Sequence, residues 1–189
     1  MQKKLDIPYY SQYTDVKDEY WKPRACGVLC LKSVLDFLET TKNERSLESG
    51  SLSADEFIKL AVDKSAYGKN GWIHQGLVDV AKDFGVVLKR KEFRSENKKE
   101  QKRLLIEGIK EIKNSLKNDK LVLVSVVKRF SEADKFHMIV LTGFKTSFGV
   151  LKGFYYNDTD YQNAGEGKDI FVDIGTFKKY WRRLAIFVE

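Results

Sequence analysis

Two cysteines occur in the 189-residue chain, and one of them stands where a nucleophile would. Cys26 lies between Ala25 and Gly27, at the predicted start of a helix. The aligned peptide dipoles at a helix N-terminus lower the pKa of a thiol, and the thiolate is the form that attacks a carbonyl carbon. Gly27 leaves room for a substrate backbone. Cys26 is therefore a candidate nucleophile, while Cys30, one turn deeper, suits the commoner role of a buried core cysteine.

A cysteine nucleophile benefits from a base, and the chain offers two histidines, His74 and His137. His137 directly precedes a long apolar run, which puts its ring at the end of a strand, where a catalytic base belongs. His74 lies at the start of another predicted helix, where a capping or surface role suits it better. His137 is the favoured base, and His74 is the alternative.

The base needs an orienting group, and acyl transfer needs donors for an oxyanion. Asn157 and Asp158 end the strand that follows His137. Neighbouring strands are about 4.8 Å apart, so either side chain could reach the imidazole. The run Asn-Asp-Thr-Asp is also good turn chemistry in its own right. Gln12, on an extended segment upstream, could supply an amide that forms an oxyanion hole with the backbone N–H of Cys26.

The first half of the chain has helical periodicity. Apolar residues recur at i, i+3, i+4 and i+7 from Leu31 to Leu38, which predicts the helix that begins near Cys26. A polar loop is expected at 46–53. The later helices are predicted at 54–61 behind a Ser-x-x-Glu capping box, at 77–84 before a C-terminal glycine, and at 98–117 with one apolar face.

The second half consists mainly of strands. They are predicted at 86–93, 121–127, 138–144, 154–157, 170–172 and 184–188, and the last is expected to close the sheet. A polar loop at 160–168 and a short helix at 177–181 interrupt them. Because the connections are short and turn-rich, neighbouring strands should be antiparallel. Helices first and an antiparallel sheet second predict an α+β fold, in which the sheet packs against the long early helix.

Composition describes one globular domain over residues 1–189: 42% of residues are hydrophobic and 32% charged. The net charge of +7 favours anionic partners, but both signs are interspersed, so no nucleic acid is expected. No apolar run is long enough for a membrane span, and two cysteines four residues apart in a helix predict free thiols. Without a signal-like start the sequence as it stands is expected to be cytoplasmic; a signal removed upstream would make it an exported protein.

Short motifs spread along the whole chain resemble the C39-like peptidases, a papain-like family related to the leader-cleaving domains of bacteriocin exporters. The matching segments are IPYYSQ (7–12), ACG (25–27), GW (71–72), FG (84–85), HMIVLTGF (137–144), YYND (155–158) and YW (180–181). Each motif is short, and their order and spacing together carry the resemblance. The chain departs from the family pattern at Val28, where Pro or a small residue is common, and at Thr159, where Pro is common.

The resemblance implies a papain-like cysteine peptidase fold that cleaves peptide bonds without metal or cofactor. It implies that Cys26 is the nucleophile, His137 the base, Asp158 the orienting acid and Gln12 the oxyanion glutamine. Neither departure removes one of these groups, so both concern substrate fit and loop shape.

Four functional hypotheses arise from the sequence, of which the last, a nucleic-acid binder, rests on the net charge alone, with no recognised motif beneath it. The leading one is a monomeric thiol peptidase that acts on a peptide or protein, in a cleft which Trp21, Trp72 and Tyr155 are candidates to line. The second keeps the same triad but passes the acyl group to an amine, as an acyltransferase, or cleaves a non-peptide amide. The third is a peptide-binding domain without turnover, against which the intact Cys26 argues.

Overall fold

A seven-stranded sheet separates two groups of helices in the computed structural model, which describes residues 1–42, 52–131 and 135–189. Its helices are α1 (Cys26–Lys42), α2 (Ala54–Asp63), α3 (His74–Asp83), α4 (Lys98–Lys117), α5 (Ala164–Gly167) and α6 (Ile174–Tyr180). Its strands are β1 (Gln2–Lys4), β2 (Tyr67–Gly68), β3 (Gly71–Trp72), β4 (Leu88–Glu92), β5 (Val122–Val127), β6 (Phe136–Ser147), β7 (Val150–Asn157), β8 (Ile170–Asp173) and β9 (Trp181–Val188). Most of the loop predicted at 46–53 lies outside the described residues.

Helix α1 begins at Cys26 and lies against strand β6. The predicted apolar stripe is buried, since Leu31, Val34 and Leu35 are all inaccessible to solvent. They share one core with Met138 of β6. An apolar stripe at helical period fixes the rotation of a helix about its axis. The stripe therefore holds the first residue of α1 at the end of β6, where the candidate base lies.

Local signals set the ends of the other long helices. The Ser53 hydroxyl accepts the N–H of Glu56, whose carboxylate accepts the N–H of Ser53, so α2 opens with the predicted capping box. Gly85, which follows α3, has a φ of +67°, in the left-handed region that glycine favours at a helix end. Helix α4 opens behind Asn97, whose side chain caps it, and covers the predicted residues.

The sheet has the strand order β4-β9-β5-β6-β7-β8, with β1 added beside β6, and every pairing is antiparallel. The prediction that the last strand closes the sheet was wrong, because β9 lies inside it, between β4 and β5. The compositions explain the order. Residues 184–188 of β9 are buried throughout, whereas four of the five residues of β4 are charged, as suits an edge strand.

Strand β5 joins two cores because it has apolar side chains on both faces. Leu123 packs in the core beneath α1, α2 and α3, while Val122 and Val124 pack in the core beneath α4 and α6. Both cores thus share one sheet. The predicted α+β arrangement, with the early helix packed on an antiparallel sheet, is confirmed.

Two short elements differ from the prediction. The segment 160–168, expected to be a loop, contains the single turn α5, which the side chain of Asn163 caps. Helix α6 begins three residues earlier than predicted, because the carboxylate of Asp173 accepts the N–H groups of Gly175 and Thr176 and starts the helix there.

Candidate active site

Cys26 lies at a cleft of about 390 Å³ between α1, the β2–β3 hairpin and the ends of β5, β6 and β9. The thiol hydrogen-bonds to His137, and the backbone N–H groups of Gly27 and Met138 also point to the sulfur. Burial by itself would raise the pKa of the thiol. The nearby positive charge of His137 and these hydrogen bonds outweigh burial, so the pKa of Cys26 is lowered.

His137 is the second residue of β6, and only 4% of it is exposed. Its Nε2 lies 2.5 Å from Oδ1 of Asp158, which leaves Nδ1 for the thiol of Cys26. Burial opposes charge on the ring. The negative charges of Cys26 and Asp158 outweigh it and raise the pKa of His137 to about 10. The two shifts together favour a thiolate–imidazolium pair at neutral pH.

Asp158 directly follows β7 and is almost fully buried. Of Asn157 and Asp158, only Asp158 contacts His137, because the side-chain oxygen of Asn157 accepts the backbone N–H of Asp169. Successive side chains of a strand point to opposite sides, so only one of two neighbours can face the histidine. Asp158 faces it, and its Oδ1 also accepts the N–H of Asp160 at 2.9 Å.

Gln12 is buried beside the loop that follows Asp158. Its backbone N–H donates to the carbonyl of Thr159, and its side-chain oxygen accepts the Thr159 hydroxyl. Its amide nitrogen donates to the carbonyl of Lys22 at 2.6 Å. A primary amide has two N–H groups, so this contact uses one of them. The side chain is thus held between the loop behind Asp158 and the segment that leads into α1.

Asp160, which the sequence analysis had considered only as part of a turn, anchors the loop that carries Asp158. Its carboxylate accepts hydrogen bonds from Lys128, Arg129 and Tyr13, and the residue is 1% exposed. Burial would raise the pKa of this carboxyl. The hydrogen bonds and the charge of Lys128 outweigh burial and lower the pKa. The run Asn-Asp-Thr-Asp therefore contains a second buried carboxylate, which no spacing rule distinguished from turn chemistry.

Cys30 is a fully buried thiol, as expected, and both cysteines are free. Its Sγ donates to the carbonyl of Met138 at 3.3 Å. Burial, with smaller contributions from the charges of Cys26 and Asp158, raises its pKa well above the usual range. Cys30 therefore stays a protonated core thiol, whereas the environment of Cys26 lowers the pKa of its thiol.

Of the capping or surface role predicted for His74, the capping role was wrong, and the partly exposed ring lies at the surface of the cleft. The N-cap of α3 is Ile73, and no side chain caps this helix end. His74 is partly buried and lines the same cleft as Cys26 and His137, because the β2–β3 hairpin brings the start of α3 beside α1. Burial, followed by the positive charge of Arg90, lowers its pKa, so the ring is neutral at neutral pH.

Aromatic residues form the wall of the cleft beside Gly27. Trp72 lines the cleft and donates from Nε1 to the carbonyl of Arg24, and the Trp21 ring packs 5.9 Å from it. A Cβ atom at Gly27 would lie 3.1 Å from the Trp72 side chain, so only glycine fits without displacing the indole. Of the two other aromatic residues predicted to line the cleft, Trp21 packs against Trp72 without lining it, and Tyr155 packs against Phe171 at the β7–β8 pairing.

Several solved structures share this fold. A candidate C39-like peptidase from Bacillus anthracis aligns with a TM-score of 0.65 at 16% identity, over 100% of this chain and 98% of that one. A double glycine motif protease from an AMS/PCAT transporter, solved with the leader peptide, aligns with a TM-score of 0.52 at 14% identity, over 100% of this chain and 98% of that one. The peptidase domain of Streptococcus ComA aligns with a TM-score of 0.52 at 18% identity, over 88% of this chain and 91% of that one. The papain-like fold expected from the sequence is thereby confirmed.

The sequence itself matches a family description. No curated protein matches the chain, but the sequence model of the Peptidase_C39 like family matches residues 4–185. The match spans nearly the whole chain and includes both the thiol and the imidazole that meet in the cleft. The chain belongs to the Peptidase_C39 like family.

Proposed function

We propose that this protein is a cysteine peptidase in which Cys26, His137 and Asp158 form the catalytic triad. Membership of the C39-like family indicates cysteine peptidase activity. The observation that carries the proposal is the position of the His137 ring. It hydrogen-bonds to the Cys26 thiol on one side and to Asp158 on the other, at the wall of an open cleft. A nucleophile, a base and an orienting group in contact are the signature of covalent acyl transfer.

The reaction follows from the charges of the pair. The Cys26 thiolate attacks the peptide carbonyl, and the electron pair of the C=O bond moves to the oxygen. When the tetrahedral intermediate collapses, the C–N bond breaks and the imidazolium of His137 gives its proton to the leaving amine. His137, now neutral, takes a proton from water as that water attacks the thioester. The second tetrahedral intermediate collapses, the C–S bond breaks with its electron pair returning to sulfur, and the acid product leaves. Cys26 is then a thiolate again, and His137 holds the proton taken from water.

Gln12 and the backbone N–H of Cys26 are proposed as the oxyanion hole. One N–H of the Gln12 amide is engaged by Lys22, and the second would donate to the developing oxyanion. The bonds to Lys22 and Thr159 support this role, because they fix the amide before substrate arrives. Donors fixed in advance need no reorganisation when charge develops on the oxygen.

The proposed substrate is a peptide or protein, and the proposed enzyme is a monomer with one domain over residues 1–189. The three triad residues come from one chain, which supports a monomeric enzyme, and both cores use one sheet, which supports a single domain. The transporter protease with the same fold was solved with a leader peptide, which supports a peptide as the ligand class. In the described part of the chain, no helix has the length and apolar character needed to cross a bilayer.

Digestion of a peptide library tests the proposal. The wild type should release new amino termini, whereas Cys26→Ala should lose nearly all turnover because triad members act as a unit. Cys30→Ala is the matched control, since it removes a thiol from the same helix and should keep activity. Full hydrolysis by Cys26→Ala would overturn the mechanism. Repeating the digestion with an added amine identifies an acyltransferase, since the amine would then appear in the product.

A further inference from the structure

The cleft around Cys26 has a strongly cationic lining. Arg24, Lys69 and Arg182 line it, and no carboxylate does so among the described residues. Arg24 and Lys69 belong to the wall formed by the segment before α1 and the β2–β3 hairpin. Arg182 stands at the start of β9, where its guanidinium stacks 3.2 Å from the centre of the Phe136 ring. Positive charge therefore borders the nucleophile from more than one direction.

The positive charge continues into a second groove, which shares Arg182 with the cleft and has a volume of about 500 Å³. Arg94 and Arg183 also line this groove, and Glu96 is its one carboxylate among the described residues. The Nη1 atom of Arg183 is buried and has no hydrogen-bond partner in the described part of the chain. We call Arg94, Arg182 and Arg183 the cationic groove.

His74 lines the cleft together with Arg182, which also lines the cationic groove. Its pKa is lowered by burial first and then by Arg90, with Arg182 and Arg94 acting in the same direction. Glu92 has the opposite effect, but it is paired with Arg90. The Arg90–Glu92 pair offsets itself, and Arg182 and Arg94 remain as positive charges on this side of the cleft, which favours an anionic ligand.

We propose that the substrate is an acidic peptide. The part of the peptide that runs from the scissile bond past Arg182 carries Asp or Glu side chains, and these side chains bind the cationic groove. The proposal rests on the proposed function only in treating the cleft as a peptide site. Guanidinium groups recognise carboxylates through paired, charge-assisted hydrogen bonds. An extended peptide advances about 3.3 Å per residue with alternating side chains, so consecutive acidic residues would include at least one that faces the groove.

Equilibrium binding to Cys26→Ala tests the proposal without requiring turnover. The probes are matched peptides that differ only in Glu or Gln at consecutive positions, measured by titration calorimetry. The Glu peptide should bind at least about tenfold more tightly at low ionic strength, and the preference should shrink as salt screens it. Equal binding of the two peptides, no binding of either, or a preference that salt leaves unchanged would overturn the proposal.

Variants show which residues cause the preference for the Glu peptide over the Gln peptide. In the Cys26→Ala background, Arg182→Gln should reduce the Glu-to-Gln affinity ratio severalfold, whereas Lys152→Gln should keep it. Lys152 is an exposed lysine on β7, outside the residues that line the cleft and the groove, so it is the charge-matched control. Arg182→Glu should reduce the ratio further than Arg182→Gln does, a graded dependence on charge that a merely structural role would not produce. An unchanged ratio in Arg182→Gln, or an equal loss in Lys152→Gln, would contradict the assignment.

The two proposals fail separately. If the Glu peptide binds selectively but the wild type cleaves no peptide, the peptidase proposal fails and the acidic-ligand proposal stands. If the wild type cleaves Glu and Gln peptides equally well and Cys26→Ala binds them equally, the peptidase proposal stands and this one fails. Tighter binding of a single-stranded oligonucleotide than of the Glu peptide would also overturn it, since the groove would then recognise polyanions rather than an acidic peptide.

Discussion

Replacing Asp158 with Asn removes a buried negative charge 2.5 Å from Nε2 of His137 and nearly preserves the shape of the side chain. The Asn oxygen can still accept the histidine N–H, so the ring keeps an orienting partner. What disappears is the charge that stabilises the imidazolium. Asp158→Asn therefore tests the electrostatic part of the triad apart from its geometry.

The expected fall in the pKa of His137 follows from the burial of the two side chains and the distance between them. Because the two side chains are 4% and 2% exposed, solvent screens their attraction weakly. A single opposite charge at close range shifts a pKa by about 1–3 units, and one unit corresponds to about 1.4 kcal/mol. The imidazolium is the form that protonates the leaving amine, and a raised pKa preserves it up to about pH 10. Loss of the carboxylate lowers that pKa, so the alkaline limb of the pH profile should move down by at least about one pH unit.

The assay is kcat/KM against pH on a peptide that the wild type cleaves, together with NMR titration of the histidine rings. With only two histidines in the chain, His74 serves as the internal reference. Asp119→Asn is the matched control, because Asp119 is an exposed carboxylate paired with Lys3. An alkaline limb that stays in place in Asp158→Asn, or that moves equally in Asp119→Asn, would refute the reasoning.

Three other residues carry predictions. Gln12→Ala should lower kcat by about 10²–10³ with little change in KM, since an oxyanion donor acts only in the transition state; an effect confined to KM in steady-state kinetics would contradict this role. Asp160→Asn should destabilise the fold by about 2 kcal/mol in urea unfolding near neutral pH. Because the folded-state pKa of Asp160 is lowered, its contribution is present above the unfolded pKa and is lost as pH falls through the folded pKa; a difference from wild type that persists in strong acid would contradict this account. Gly108→Ala should cost about 1–3 kcal/mol by overpacking, because a Cβ there would lie 2.5 Å from the Trp181 ring; unchanged urea unfolding would show that the ring yields.

The thiol and the imidazole of the candidate triad could be predicted because cysteine and histidine are rare in this chain, whereas the choice of Asp158 over Asn157 came from the resemblance. With two cysteines and two histidines there were few pairs to consider, and the helix start and strand end distinguished Cys26 and His137 from Cys30 and His74. The helices were predictable for a similar reason, since periodicity and caps act within a few residues of each other. Helix α4 was recovered over its full length, Lys98–Lys117.

Features that depend on long-range contacts were not predictable. The position of β9 inside the sheet depends on which strands pair with it, and the residue pattern of a single strand does not reveal its pairing partners. His74 was assigned a capping or surface role because its place in the cleft depends on a hairpin that packs α3 beside α1. Tyr155 was assigned to the cleft because an aromatic residue in a strand carries no signal of which side it faces until the register is known.

The cationic groove was missed for the same reason. Arg94 and Arg182 are 88 residues apart in sequence, and the backbone carbonyl of Arg182 accepts a hydrogen bond from Arg94 only once β4 and β9 pair. The net charge of +7 showed an excess of cations without showing where they gather. Charge clustering is thus a property of the sheet order rather than of any segment.

The central claim is that Cys26 is a thiolate because His137 is its charged partner, and the rate of iodoacetamide labelling against pH, measured in Cys30→Ala, tests this claim most directly. We predict rapid labelling of Cys26 at pH values well below the ordinary thiol pKa of about 8.5, and loss of that low-pH reactivity in the His137→Ala variant. Labelling that follows an ordinary thiol titration, or that is unchanged without His137, would contradict the account.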